Sequence, residues 1–305
     1  MSAVTQGAST PSAAARGSTP TPKAAPVALA RPSTAHIVAW GISVVSGLAL
    51  AMIAFLLVLS PLQQSRAQDV LYGQFRSELA AATAPFGVDP IEPGQPVAIL
   101  DIGDIGLRQV VVEGTAGSDL RSGPGHERDT VLPGQVGTTV IAGRSVTYGG
   151  PFADITELET GDPIRVVTGQ GKFTYLVEDV RREGDPAPAA LQAGQSRLVL
   201  ITAEGKSLQP SSTVYVDALL QGNPTVTPPR PPVFMDPSEL PMASDTSVML
   251  NLVLWLLVLV GVGCFVVWGV TRWGTSQTWV IGFPLALAAL WGACDAAASL
   301  LPNLM

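Results

Sequence analysis

The stretch Thr138-Thr139-Val140-Ile141-Ala142-Gly143 decides how this sequence folds. Its β-branched residues follow one another and a glycine ends the run, which is typical of a short strand. Similar runs, separated by turns rich in Gly, Pro and Asp, occur at Val97–Ile102, Arg108–Val112, Ile164–Val167, Phe173–Val180, Arg197–Thr202 and Thr213–Leu219. Because most of these runs have no long helical pattern between them, they predict a closed barrel or a sandwich of seven or eight strands over residues 95–220.

Outside these strands the chain is strongly apolar. Of its 305 residues, 47% are hydrophobic and 13% are charged, whereas soluble domains have about 25% charged residues. The excess lies in three runs at residues 37–60, 248–270 and 279–301, each near the ~20 residues that cross a bilayer. A signal peptide is the alternative for the first run. Its length, and the absence of a small-residue cleavage motif directly after it, favour an uncleaved anchor.

Residues 63–94 predict a stalk helix followed by a linker. Val70 or Leu71, Phe75 and Leu79 recur at helical spacing, with polar residues between them. We interpret this apolar stripe as docking onto the chain's own domain rather than onto a partner.

Two further segments have compositions that disfavour a packed core. Residues 1–36 consist mainly of Ala, Ser, Thr, Pro and Gly and predict a disordered tail. Residues 221–247 contain seven prolines and predict an extended tether to the second apolar run.

The basic residues predict the orientation in the membrane. The tail carries three Lys or Arg, and the connection between the last two apolar runs carries Arg272, in both cases without an acidic residue. Residues 63–247 carry 13 Lys or Arg and 23 Asp or Glu, a formal charge of −10. The positive-inside rule therefore predicts a three-span cell-membrane protein with a cytoplasmic N-terminus and an extracellular β domain. Such a negative domain also disfavours nucleic acid as a partner.

The residues that carry most enzyme chemistry are scarce. The only cysteines, Cys264 and Cys294, lie in apolar runs, so the β domain has no thiol for a disulfide, a zinc site or a nucleophile. The histidines are His36 and His126, and no phosphate loop or metal-spaced cluster is visible, so we predict no cofactor and no metal. Asp295 interrupts the third apolar run. It is either a functional intramembrane group or a residue near the outer headgroups, and both readings stay open.

Several segments together resemble a known family in their order and spacing: Val111–Thr115, Gly123–His126, Leu132–Gln135, Thr139–Gly143, Tyr148–Gly149, Pro151–Phe152, Gly161–Asp162 and Arg197–Leu200. They resemble the sortases, cysteine transpeptidases that attach proteins to the cell wall of Gram-positive bacteria, and are most similar to class E of actinobacteria. The resemblance implies a mainly β fold, an exported, sortase-like eight-stranded β-barrel. The apolar runs add one N-terminal and two C-terminal transmembrane helices, and the C-terminal pair departs from the family.

The resemblance also implies three catalytic positions, and this sequence lacks the family's residue at each of them. Arg144 stands where the family has its His, and Ala203 where it has its Cys. Ser212, between Ser211 and Thr213, stands where the last strand of the family begins with an Arg. We therefore predict no catalytic residue, and a pseudoenzyme.

Four residues are candidates to line the groove that holds the sorting peptide in the family: Arg144, Thr202, Glu204 and Tyr215. A buried unpaired guanidinium would be costly, so we predict that Arg144 pairs with Glu204. The alternative is an exposed Arg144 on an open groove, where it would bind a carboxylate.

These features predict a membrane-anchored binding or assembly factor at the cell envelope. Its partner would be an extended peptide or a cell-envelope protein. Two alternatives stay open. One is a transpeptidase or hydrolase with relocated catalytic residues. The other is a structural subunit that meets a membrane-protein partner through its C-terminal hairpin.

Overall fold

The computed structural model describes residues 34–206, 209–229, 233–240, 243 and 248–305. The predicted disordered tail falls outside these residues, except that residues 34–36 begin the first helix. Contacts divide the chain into one unit of residues 1–45 and another of residues 46–305, and the barrel lies in the second.

Four long helices flank the barrel in sequence. Helix α1 (Thr34–Ala54) continues through a π-helical turn (Phe55–Leu59) into α2 (Ser60–Ala81). Helices α3 (Met249–Arg272) and α4 (Thr275–Ala298) follow the barrel. Within the described residues, three helical stretches are long and apolar enough to cross a membrane, one before the barrel and two after it. The predicted connection over residues 271–278 is much shorter, because Gly274 adopts a left-handed φ of +100° that reverses the chain tightly.

Eight strands close into a barrel in the order β1-β2-β3-β4-β7-β8-β6-β5. They are β1 (Pro96–Ile102), β2 (Leu107–Glu113), β3 (Gly125–His126), β4 (Gly137–Ala142), β5 (Pro163–Thr168), β6 (Gly171–Arg182), β7 (Ser196–Lys206) and β8 (Gln209–Leu220). The barrel is confirmed, and the sandwich alternative is wrong. All seven predicted runs are strands, whereas the two-residue β3 is too short to show a periodicity.

The stalk helix docks onto the barrel, as its apolar stripe predicted. Leu71 and Phe75 of α2 are buried against Ile99 of β1 and against Val110 of β2. Val70 is 70% exposed, so Leu71 is the residue of the inward stripe. The helix ends at Ala81, because Ala82 takes a left-handed conformation and its N–H caps the last turn.

The predicted tether runs along the barrel in its described parts. Thr225 forms an isolated parallel bridge with Gln135, and its N–H donates to the carbonyl of Gly134 at 2.7 Å. A 3₁₀ turn at Pro237–Glu239 follows, capped by Asp236. These polar contacts hold the chain near the barrel before it enters α3.

Candidate functional site

The barrel register brings the first two family positions together. Strands β4 and β7 are parallel, with Ala142 beside Ile201. The N–H of Gly143 continues this pattern by donating to the carbonyl of Ile201 at 2.9 Å. Arg144 follows Ala142, the last paired residue of β4, by two residues, and Ala203 follows Ile201 by two. The same register therefore places Arg144 beside Ala203 of β7.

Strand β8 brings Thr213 to the same place. Ala203 pairs with Thr213, whereas Ser212 pairs with Glu204. Directly opposite residues of an antiparallel pair share one face of the sheet, and successive residues alternate between faces. Thr213, and not Ser212, is thus the residue of β8 that shares a face with Ala203.

The predicted ion pair between Arg144 and Glu204 is wrong. Glu204 pairs with Arg182 of β6, with Nε–Oε2 at 2.7 Å and Nη2–Oε1 at 3.0 Å. The hydrogen bonds from Arg182 lower the pKa of Glu204. The alternative, an exposed Arg144, is also wrong, because the Arg144 side chain has 0% exposure.

Hydroxyl and main-chain oxygens surround the buried Arg144 guanidinium. Nη1 donates to Thr147 Oγ1 at 2.9 Å and to the Met305 carbonyl at 3.3 Å, and Nη2 donates to the Gly117 carbonyl at 2.9 Å. The Tyr148 ring centroid lies 5.1 Å from the guanidinium carbon. Burial lowers the pKa of Arg144 to about 10. The guanidinium therefore stays protonated at neutral pH and cannot act as a base.

Leu304, which follows α4, covers the face on which the catalytic positions converge. It is fully buried in one apolar cluster with Ile201 and Ala203, and Tyr215 packs against that cluster. The crevice left beside it measures about 10 Å³, the room of about one water. The sequence carried no signal for this contact, because about 100 residues separate Ala203 from Leu304.

Hydrogen bonds fix the covering segment on both sides. The Ser145 N–H and Oγ both donate to the Leu304 carbonyl, at 3.0 and 3.2 Å. The Asn303 side chain donates to the carbonyls of Ser238 at 2.6 Å and Leu240 at 2.9 Å. The end of the predicted tether and the segment after α4 therefore cover the same face together.

Asp295 joins α4 to the barrel. Its carboxylate accepts from Arg121 Nη1 at 2.9 Å and from the Tyr148 hydroxyl at 3.3 Å. Burial and the nearby Asp295 charge raise the pKa of Tyr148 to about 12, so its hydroxyl remains a donor. These contacts give Asp295 a barrel partner at the end of the third apolar run.

The other predicted site residues have structural partners. The Thr202 hydroxyl donates to the Gly143 carbonyl at 2.9 Å and so ties β7 to the end of β4. The Tyr215 side chain packs against the apolar cluster that contains Leu304. His126 is not among the predicted site residues, and its ring is hydrogen-bonded too. The His126 nitrogens lie 2.7 Å from Glu113 Oε2 and 2.9 Å from the Val131 carbonyl.

Among the described residues there is no metal-binding cluster, and a described cavity lies apart from these positions. In the described part of the chain, no group of three or more His, Cys, Asp or Glu side chains could hold a metal ion. A cavity of about 490 Å³ lies elsewhere, lined by the loop of residues 82–91 and by Gln95. It holds none of the predicted site residues.

We expect Asp119→Asn to stabilise the chain at pH 7.5 and not at pH 3.5. Burial, helped by the charge of Glu239, raises the pKa of Asp119 to about 6 from 3.8. The folded form therefore binds more protons than the unfolded form between these values, and stability falls as the pH rises through this window. One pKa unit corresponds to about 1.4 kcal/mol. Allowing for partial exposure, the variant should gain ~1 kcal/mol at pH 7.5.

Thermal unfolding at the two pH values checks this expectation. The exposed Asp104 serves as the control, because Asp104→Asn should change stability equally little at both. An equal gain for Asp119→Asn at pH 3.5 and pH 7.5 would show that the effect does not come from titration of this carboxyl.

Comparison with known proteins identifies the barrel. The model of the sortase domain matches residues 100–220. Sortase D of Bacillus subtilis is 34% identical over 113 residues, which are 36% of this chain and 56% of that protein. Sortase SrtE1 of Streptomyces coelicolor is 33% identical over 96 residues, 29% of this chain and 27% of that protein. The chain thus spans less than two thirds of either relative.

Solved sortase structures are similar as well. A sortase D5 transpeptidase of Clostridium perfringens has a TM-score of 0.43 and 22% identity, and the match covers 52% of this chain and 98% of that one. Sortase E of Streptomyces avermitilis has a TM-score of 0.37 and 30% identity, over 43% and 91% of the two chains. The domain match over residues 100–220 coincides with the closed barrel, so these residues of the chain form a sortase domain.

Proposed function

We propose that this chain is a catalytically inactive member of the sortase family that acts as a membrane-anchored binding or assembly factor at the cell envelope. Ala203 carries the proposal: it stands level with Arg144 and opposite Thr213, and it has no nucleophilic atom. A cysteine transpeptidase needs a thiolate there, together with a proton-transfer group that Arg144 cannot provide.

Turnover of a sorting-signal peptide tests the proposal. We expect the full chain in mild detergent to leave a fluorogenic sorting-signal peptide uncleaved, while an active sortase cleaves it in parallel. Turnover that survives thiol blockers would establish relocated catalytic residues. Turnover that a blocker abolishes in the full chain, and that is absent from a Cys294→Ser variant, would assign the chemistry to that helix. Either result overturns the proposal.

A structural subunit is the second candidate, and the covered face favours it. Leu304 packs against Ala203 and so occupies the face that we propose for an extended peptide. Large apolar side chains such as Val260 and Val280 remain exposed on α3 and α4, where lipid or another membrane protein can cover them. Co-purification in mild detergent, with and without residues 248–305, separates the candidates. A partner that is lost with these residues supports the subunit role, whereas one that is retained supports binding by the barrel.

The proposed location is the cell membrane of a Gram-positive actinobacterium, with the barrel extracellular. Two observations support this proposal: Met305 lies against the barrel, and the positive-inside rule predicts the barrel and this segment on the same side of the membrane. A reporter active only in the cytoplasm should work when fused before Ala3 and be silent when fused after Met305. Activity at Met305 would mean that only one of the last two apolar helices spans the membrane.

A further inference from the structure

We propose that the face made by Arg144, Ser145, Thr147 and Ala203 is a peptide-binding site, and that residues 301–305 of this chain are its built-in occupant. We call these residues, Leu-Pro-Asn-Leu-Met, the latch segment. Its ligand class is an extended peptide that presents an apolar side chain and two successive carbonyl groups. This inference rests on the proposed function, because it concerns regulation of the same face.

The contacts of the latch segment are those of a bound peptide. Its apolar side chain, Leu304, fills the space beside Ala203 and is fully buried. Its polar backbone is recognised directly, because Ser145 donates twice to the Leu304 carbonyl, and both Arg144 and Thr147 donate to the Met305 carbonyl. A chain end that merely rested on the surface would leave these carbonyls to water.

The buried Arg144 guanidinium makes this face more favourable when a peptide segment is bound to it. The guanidinium is fully buried, and one of its acceptors belongs to the latch segment. Its Nε has no hydrogen-bond partner among the described residues. Removal of the latch would take away the Met305 acceptor and leave a buried charge less satisfied, which is unfavourable unless water or another peptide carbonyl replaces it. The residue at the family's His position thus favours an occupied face.

The latch is also held locally. Residues 301–305 follow α4 directly, and the contact of Asp295 with Arg121 keeps the end of that helix beside the barrel. A tethered segment acts at an effective concentration in the millimolar range. A competing peptide must therefore bind tightly, or the Asp295 contact must first be lost, before the face is available in trans.

A buried reporter thiol tests the latch without any measurement of turnover. The full chain carries Cys264→Ala, Cys294→Ala and Ala203→Cys, so that its single thiol lies under Leu304. In mild detergent, Leu304→Asp should raise the labelling rate of this thiol by a maleimide at least ~10-fold. Phe234→Asp is the matched control: its side chain is exposed in the segment between β8 and α3, and it should leave the rate unchanged.

A second variant and a synthetic peptide complete the test. Leu304→Ala removes only apolar contact on the outside of the barrel and should give a smaller increase, so the test stands even if the aspartate variant misfolds. A synthetic peptide of residues 299–305, added in excess to the Leu304→Ala variant, should restore protection. Equal labelling rates with Leu, Ala and Asp at position 304, or no protection by the peptide, overturn the inference. Neither result bears on whether the unmodified chain cleaves a sorting peptide, so the two proposals fail separately.

Discussion

Replacing Arg181 by Met should lower the free energy of unfolding by about 3–5 kcal/mol. Arg181 of β6 pairs with Asp217 of β8 through Nε and Oδ2, and the Asp217 carboxylate is fully buried. The guanidinium carbon also lies 4.5 Å from the ring centroid of Tyr215, beside the covered face. Methionine keeps much of the length and the apolar packing but leaves the carboxylate unpaired, and an unpaired buried charge is strongly destabilising.

The neighbouring arginine is the matched control. Arg182 pairs with Glu204, but its side chain is 55% exposed, so Arg182→Met should lower the free energy of unfolding far less than Arg181→Met does. The double variant Arg181→Met/Asp217→Leu should recover most of the loss, because it buries no charge. Denaturation in mild detergent, followed by the β-sheet circular dichroism signal, measures all three variants. Equal losses for Arg181→Met and Arg182→Met would show that burial of the Asp217 carboxylate is not what matters.

We expect peptide cleavage to be about 10²–10³-fold faster when the family's His, Cys and Arg are all restored than when only the His and the Cys are restored. The comparison is between Arg144→His/Ala203→Cys and the same variant with Thr213→Arg, both in chains that end at Asn303 so that Leu304 no longer covers the face. An oxyanion donor is worth about this factor, and the register puts residue 213 opposite residue 203.

The position of the arginine provides the control for this experiment. Ser212→Arg, added to the same double variant, should give no acceleration, because residue 212 shares a face with Glu204 instead. Initial rates with a fluorogenic sorting-signal peptide measure the effect. Equal rates for the double variant and for the one with Thr213→Arg would contradict our account of the third position.

The fold was predictable because its signals are local. Each of the seven long strands carries its own run of β-branched residues, and each long apolar run carries its own bilayer-spanning length. The stalk helix shows the limit of such signals. Helical spacing allowed either Val70 or Leu71 on the inward stripe, and only packing against Ile99 and Val110 selected Leu71. Periodicity defines a face to within about one residue, whereas packing selects the residue.

The sequence predicted which residue types are present at the candidate site, but not which residues contact them. The absence of a thiol from residues 63–247 follows from the sequence alone, because no arrangement of the chain supplies a missing atom. The partner of Arg144 could not be predicted in this way. Glu204 was predicted as its partner because it directly follows Ala203, but the β6–β8 register brings Arg182 close enough to Glu204 to form the ion pair.

What the sequence alone determined about this protein is therefore its strands, its apolar helices and the absence of cysteine from residues 63–247. Only the tertiary structure decided that Leu304 covers Ala203, that Arg144 donates to Met305 and that Thr213 shares the face of Ala203. The physical reason is distance along the chain. Such contacts depend on strand register and on how the segment after α4 packs against the barrel. Neither produces a periodic pattern in the sequence of the residues involved.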